Sequence, residues 1–154
     1  MSTQTARPSD AVAINPDELP GGAAARFAYS FGVRRADHLW ISGQVALDPD
    51  GAIVGVDDIA AQAEQVFRNI GAVLAAAGGG FEHLVATTTY MTDRAFSPKI
   101  NEARLRHIDG PCPPTSTLLV VAGLARPEFL VEISGVAVLS GRPAGGALAP
   151  DDVR

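Results

Sequence analysis

The feature that most constrains this chain is a pair of apolar, β-branched runs near its C-terminal end, Ser116 to Ala122 and Phe129 to Val138. Each has the length of a strand and is short for a core helix. Gly123 and Pro127 punctuate the gap between them. We read them as two central strands of one sheet. The second carries Glu132 among apolar neighbours. A carboxylate there is costly unless it is paired, protonated or turned toward a wet cleft. Strand side chains alternate, so Glu132 shares a face with Ser134. Glu132 is therefore the first candidate for a general acid or base. The competing reading is a structural carboxylate that pairs with an arginine of a neighbouring subunit.

The rest of the chain supplies elements to pack against that pair. Met1 to Gly22 is rich in Ala, Pro, Ser, Thr and Asp and reads as a flexible, irregular arm. Phe27 to Val33 alternates, Leu39 to Val45 reads as a second strand, and Arg35 to His38 joins them as a hairpin. Asp48-Pro49-Asp50-Gly51 signals a turn before a short strand at Ala52 to Val54. Asp57 or Asp58 caps a helix whose stripe is Ile59, Ala63, Val66, Ile70, Val73 or Leu74, and Ala77; Gln62, Glu64, Gln65, Arg68 and Asn69 fall on its other side. Gly78 to Gly80 stops it. Leu84 to Met91, with its threonine run, reads as a strand. Ser97 as N-cap and Pro98 in the first turn start a second helix that runs to Ile108. Pro111, Pro113 and Pro114 then deliver the chain into the Ser116 strand. Residues 140–154 read as a flexible tail, which leaves one domain over residues 23–139.

The order of elements predicts an α+β sandwich: a mixed sheet with both helices on one face and the other face uncovered. Because the strands are apolar on both sides in places, a homo-oligomer is the expected cover for the open face.

Bulk properties narrow the function classes. The formal net charge is −5, with Lys and Arg scattered, which speaks against a nucleic-acid footprint or a basic membrane-binding face. A single cysteine, Cys112, permits no internal disulfide, and with His38, His83 and His107 it forms no metal-ligand spacing. No apolar run approaches the ~20 residues of a membrane span, and no signal-peptide core is visible. The expectation is a cytoplasmic protein without a metal.

Several motifs then carry a resemblance. Tyr29-Ser30-Phe31-Gly32-Val33, Ile41-Ser42-Gly43-Gln44-Val45, Thr88-Thr89-Tyr90-Met91-Thr92-Asp93, Asn101, Pro113 to Thr117 and Val131-Glu132-Ile133 together resemble the reactive intermediate deaminase (Rid) family, also called the YjgF family. The likeness spans Ala28 to Leu139. It implies a chorismate-mutase-like fold that assembles as a homotrimer, with sheets forming a central barrel and small-molecule clefts between subunits. It also implies a cofactor-independent hydrolysis of a 2-imino or enamine acid to a keto acid and ammonia. By position, Glu132 would activate or orient the water, Tyr29 would line the cleft, Ser42 and Asn101 would border it, and Thr117 would lend backbone groups. Members of the deaminase branch carry an arginine that grips the substrate carboxylate; here Thr115 stands in its place. A hydroxyl cannot replace that charged, planar fork. The expected enzyme thus acts on a small enamine, imine or related unsaturated metabolite by hydrolysis, deamination or tautomerisation, without the usual carboxylate clamp, and Thr115 is a candidate donor to a neutral group. The alternative is a non-catalytic trimer that binds a small molecule or a regulatory partner.

Overall fold

A computed structural model describes residues 11–139. Six strands form one mixed sheet: β1 (Ala11–Ile14), β2 (Gly32–Arg35), β3 (His38–Gln44), β4 (Leu84–Met91), β5 (Thr115–Val120) and β6 (Val131–Val138). Their spatial order is β1-β2-β3-β6-β4-β5. Every neighbouring pair is antiparallel except β4 and β5, which run parallel. The helices are α1 (Gly21–Arg26), α2 (Ile59–Ala76) and α3 (Ser97–His107). Among the described residues, no helix is long and apolar enough to cross a membrane.

Helix α2 forms where its end signals place it. The Asp58 carboxylate accepts from the backbone N–H groups of Ala60 and Ala61 at 3.0 and 3.1 Å, which satisfies donors that lack an intrahelical partner. At the other end Gly78 takes φ +86°. Its N–H reaches the Ala75 carbonyl at 3.0 Å, and the Gly79 N–H reaches the Leu74 carbonyl at 2.8 Å, the double closure that a left-handed residue permits. Arg34 of β2 donates to the Ala77 carbonyl at 2.8 Å, a cation at the negative end of the helix dipole.

The predicted stripe is buried. Ala63, Val66, Phe67, Ile70, Val73 and Leu74 meet Val131, Ile133 and Ala137 of β6 and Leu39 and Ile41 of β3 in one core cluster. Helix α3 packs on α2 and adds Ile100 and Ala103 to the same side. Along β6, residues 131, 133, 135 and 137 are buried while 132, 134, 136 and 138 remain partly open. The layers are therefore helices against one sheet face, with the second face uncovered in the single chain.

Five expectations need correction. The Ser116 run is β5 at the sheet edge, not a central strand, and it is exposed along its length; only its partner run, β6, is central. Phe27 to Val33 does not form a strand from its start: Phe27 ends α1, Ala28 takes φ +55°, and pairing begins at Gly32. The segment read as irregular up to Gly22 contains β1, which pairs with β2, and the start of α1; residues 1–10 and the tail 140–154 lie outside the described residues. Ala52 to Val54 contributes only an isolated bridge, Ile53 to Leu47. The Ser97 hydroxyl does not cap α3, which ends at His107; Asp93 instead caps the short turn before it, accepting from Ala95 N–H at 2.8 Å.

Two polar residues expected on the outer side of α2 prove buried, because their amides are fully employed. Gln62 donates to the carbonyls of Gly55 (3.0 Å) and Glu128 (2.8 Å) and accepts from Leu130 N–H (2.9 Å). Asn69 donates to Val45 and Leu47 carbonyls at 3.0 and 3.1 Å and accepts from Gln65. Gln62 thus ties the loop before β6 to α2, two residues upstream of Glu132. Replacing Gln62 by Ala leaves three backbone groups unmatched in a dry site. It should lower stability by about 3 kcal/mol, read as a drop in the urea midpoint at unchanged m-value.

Candidate active site on the open sheet face

Glu132 belongs to the outward-facing set of β6 and is half-buried. Pairing register places its neighbours. Tyr90 of β4 lies directly opposite Glu132, and Leu119 of β5 lies beside Tyr90. The next rung along is Ser134, Thr88 and Thr117, and the one after is Val136, Ala86 and Thr115. Directly paired residues share a face, so these three rungs make one surface.

On the β3 side the ladder with β6 slips between Ile41 and Gln44, so Ser42 and Gly43 form a bulge. The Glu132 carboxyl rests on that bulge. A Cβ at Gly43 would collide with its Oε1, Cδ and Cγ atoms. A side chain at Gly43 would have to displace the Glu132 carboxyl, which occupies that volume. Glu132 makes no ion pair among the described residues. Burial without a counter-charge raises its pKa above the ordinary carboxylate value.

Tyr29 and Gly43 line one small pocket of about 30 Å³, with Phe31, Gln44 and Leu47. The Tyr29 ring stands edge-on to Phe31 with centroids 5.6 Å apart. Burial raises the phenol pKa, which keeps it a hydrogen-bond donor. Ser42 supports this pocket through the backbone. Its hydroxyl donates to the Ser30 carbonyl at 2.6 Å and its N–H to the Phe31 carbonyl at 2.9 Å, fixing the segment that carries Tyr29.

The other candidates separate. Thr117 is one rung from Glu132. Thr115 is two rungs away, and its hydroxyl donates to the Val85 carbonyl at 3.2 Å. Asn101 is exposed on α3, in the helix layer, 3.5 Å from the Ser97 hydroxyl; within one chain it is not brought to Glu132. Sequence reasoning misses two members of the site. Tyr90 is legible as an open-face position two residues from Thr88. Gly43 is legible as a mid-strand glycine, which signals a bulge or close approach. Among the described residues, no group of three or more His, Cys, Asp or Glu side chains is arranged to hold a metal ion. A larger cavity, about 300 Å³, opens elsewhere, between Phe81, His107 and Cys112, and is lined by none of Glu132, Tyr29, Ser42, Asn101, Thr115 or Thr117.

Residues 21–139 match the family described as Endoribonuclease L-PSP. The fold superposes on RidA from an Antarctic Psychrobacter with a TM-score of 0.74 and 32% identity, covering 82% of this chain and 98% of that one. The chain belongs to the Rid family. A Rid protein from Yersinia pestis, described as of unknown function, superposes with a TM-score of 0.76 at 31% identity, covering 83% and 98% of the two chains. Among curated relatives, protein DfrA of Myxococcus xanthus is 36% identical over 82% of this chain and 94% of its own. The 3-aminoacrylate deaminase RutC of Acinetobacter baylyi is 31% identical over 77% and 94%. Rid membership agrees with the motifs that suggested it and with the mixed α+β sandwich.

Two outcomes follow from the site geometry. Gly43→Ala should displace the Glu132 carboxyl and lower any activity of the protein by about 100-fold, at a stability cost of about 1–3 kcal/mol; a crystal structure of the variant should show the carboxyl moved off the bulge. Glu132→Gln should stabilise the fold at neutral pH. A raised folded-state pKa means that the ionised form is disfavoured on folding. That penalty is absent below the ordinary carboxylate range, builds as pH rises through it and is complete above the raised value. The stability gain of the variant should therefore vanish below the ordinary carboxylate range and grow as pH rises through it.

Proposed function

We propose that this Rid protein hydrolyses a small enamine or imine, with Glu132 as the proton carrier. The observation that carries this reading is a half-buried, unpaired carboxyl with a raised pKa, seated on a glycine bulge and flanked by Tyr90. A raised pKa keeps more of the carboxyl protonated at a given pH than an ordinary carboxylate would be, which suits a group that first donates and then accepts. Protonated Glu132 gives its proton to the β-carbon of an enamine, which becomes an iminium ion. Water adds to the iminium carbon and yields its proton to the Glu132 carboxylate. The neutral carbinolamine moves its hydroxyl proton to nitrogen and releases ammonia and a carbonyl product, with Glu132 restored. Tyr29, held as a donor at the neighbouring pocket, suits the orientation of that water or of the substrate.

The catalytic unit in this reading is a homotrimer. Trp40, Val33 and Leu119 are 48%, 37% and 45% exposed on the single chain's open face, and apolar surface of this kind favours a subunit contact. Clefts between subunits would then place groups of a second copy opposite Glu132. No metal or organic cofactor enters the chemistry. The family description mentions an endoribonuclease, but a net charge of −5 opposes the phosphate-neutralising contacts that RNA binding needs. Thr115, whose hydroxyl is spent on Val85, favours a second reading, in which the cleft binds a metabolite without turnover.

The test is ammonia release from freshly generated 2-aminoacrylate and 2-iminopropionate and from their neutral ester counterparts. Glu132→Gln should lose about 100-fold or more of the rate on whichever is turned over. Undiminished activity in that variant would remove the role, and binding without turnover by the natural chain would support the second reading.

A further inference from the structure

We infer that the hydroxyls of Thr117, Thr88 and Ser134 form a recognition strip for an uncharged hydrogen-bonding group of the ligand, such as an amide. This rests on the reading of the Glu132 face as the site, and it names the class of ligand that face selects. Thr88 pairs with both Thr117 and Ser134, so the three lie on one rung that crosses β5, β4 and β6. Adjacent strands are about 4.8 Å apart, which makes the row about 10 Å long. It stands two residues, about 7 Å, from the Glu132–Tyr90 rung. A ligand of a few heavy atoms spans that gap.

Hydrogen-bond bookkeeping separates these hydroxyls from their neighbours. Thr87 donates to Thr115 O at 3.3 Å, Thr115 to Val85 O at 3.2 Å and Ser42 to Ser30 O at 2.6 Å. Among the described residues, Thr117, Thr88 and Ser134 have their side-chain donors and acceptors uncommitted, on positions that are exposed or half-buried. Three adjacent hydroxyls, each both donor and acceptor, can match a carbonyl oxygen and an N–H together.

Charge decides which group they match. The Glu132, Ser134 and Val136 rungs carry no Lys, Arg or His on any of their paired strands. Among the paired strand residues, the first cation on this face is Arg35, beside His38 on the Val138 rung, about 20 Å along the strand from Glu132. Arg104 lies near the start of β5, but on the helix side, bonded to Thr87 Oγ1 at 2.8 Å and the Pro114 carbonyl at 3.3 Å. An anionic ligand on the strip would thus sit near a carboxyl and gain no compensating charge from these strands, and its own charge would be desolvated. A neutral amide meets neither cost.

The test uses stable product analogues, so it is independent of turnover. Pyruvamide and pyruvate are titrated calorimetrically into the full-length protein at pH 7.5. Pyruvamide should bind at least about tenfold tighter than pyruvate, and Thr88→Val and Ser134→Ala should each weaken pyruvamide at least about fivefold. Both variants should keep the natural Tm to within about 3 °C, which separates lost recognition from lost folding. Tighter binding of pyruvate, no saturable binding of pyruvamide, or full pyruvamide affinity in both folded variants would overturn the strip. Glu132→Gln separates this from the catalytic reading. A fully active Glu132→Gln removes the proton carrier and leaves the binding ratio to judge the strip. An inactive one with unaltered Thr88→Val and Ser134→Ala affinities removes the strip alone.

Discussion

The structure depends on the seating of one helix stripe against one face of one strand. Val66, Phe67, Ile70, Val73 and Leu74 of α2 and Val131, Ile133 and Ala137 of β6 are all fully buried. With the strand period of two, that contact dictates that Glu132, Ser134, Val136 and Val138 face away. Burying any of these larger hydrophobic side chains contributes about 1.5–3 kcal/mol. Sliding β6 by one residue would turn Val131, Ile133 and Ala137 out and drive Glu132 under α2. The carboxyl's place on the open face is thus a by-product of core packing, enforced by far more energy than the carboxyl itself could command.

What fixes the site beyond its face is a second, polar layer of constraint. Gln62 and Asn69 project from α2 seven residues apart, two turns on one side, and each saturates its amide against loop backbone. Gln62 sets the approach to β6, and Asn69 sets Val45 and Leu47 just after the bulge. The Glu132 carboxyl and the Gly43 backbone are therefore located from opposite sides by amides of one helix. This arrangement suits a group kept in an unfavourable environment. The desolvation that raises the Glu132 pKa would be relieved by a small shift of either strand, and the two buried amides resist that shift. A buried amide with all its partners is rigid, and one that loses a partner leaves a desolvated group unmatched.

How far the sequence alone reveals this varies by element, for physical reasons. Helix α2, β4 and β6 are legible because long periodic patterns and sharp end signals agree with the tertiary packing. The face shared by Glu132 and Ser134 follows from alternation alone. The first strand is misread because alternation from Phe27 to Val33 is overridden at Ala28, whose φ of +55° reverses the chain after α1. Nothing in an alanine signals that conformation. β5 is misplaced because β-branched, apolar composition marks a strand but not its neighbours; this exposed edge strand has the composition of a central one. Gln62 and Asn69 are hidden for a related reason. Hydrophobic patterning sorts side chains by polarity, and a satisfied amide is a polar group that belongs inside. Tyr90 and Gly43 stand within the family motifs, but their pairing with Glu132 is a matter of register, which only the assembled sheet supplies.

Thr115 is committed to holding the sheet together. Its hydroxyl turns to Val85 and helps hold the edge strand to β4. Thr87 does the same from the next residue pair through Thr115 O, and Arg104 secures Pro114 from the helix side. The start of β5 is held by three contacts within the chain, so the edge strand keeps its register without a ligand. A charged side chain at this edge would also have to remain solvated or paired whenever the cleft was empty. Threonine removes that demand and lets the strand bond internally. The seat of Glu132 is therefore built from α2, Gly43 and β6, while the start of edge strand β5 is secured separately, through β4 and α3.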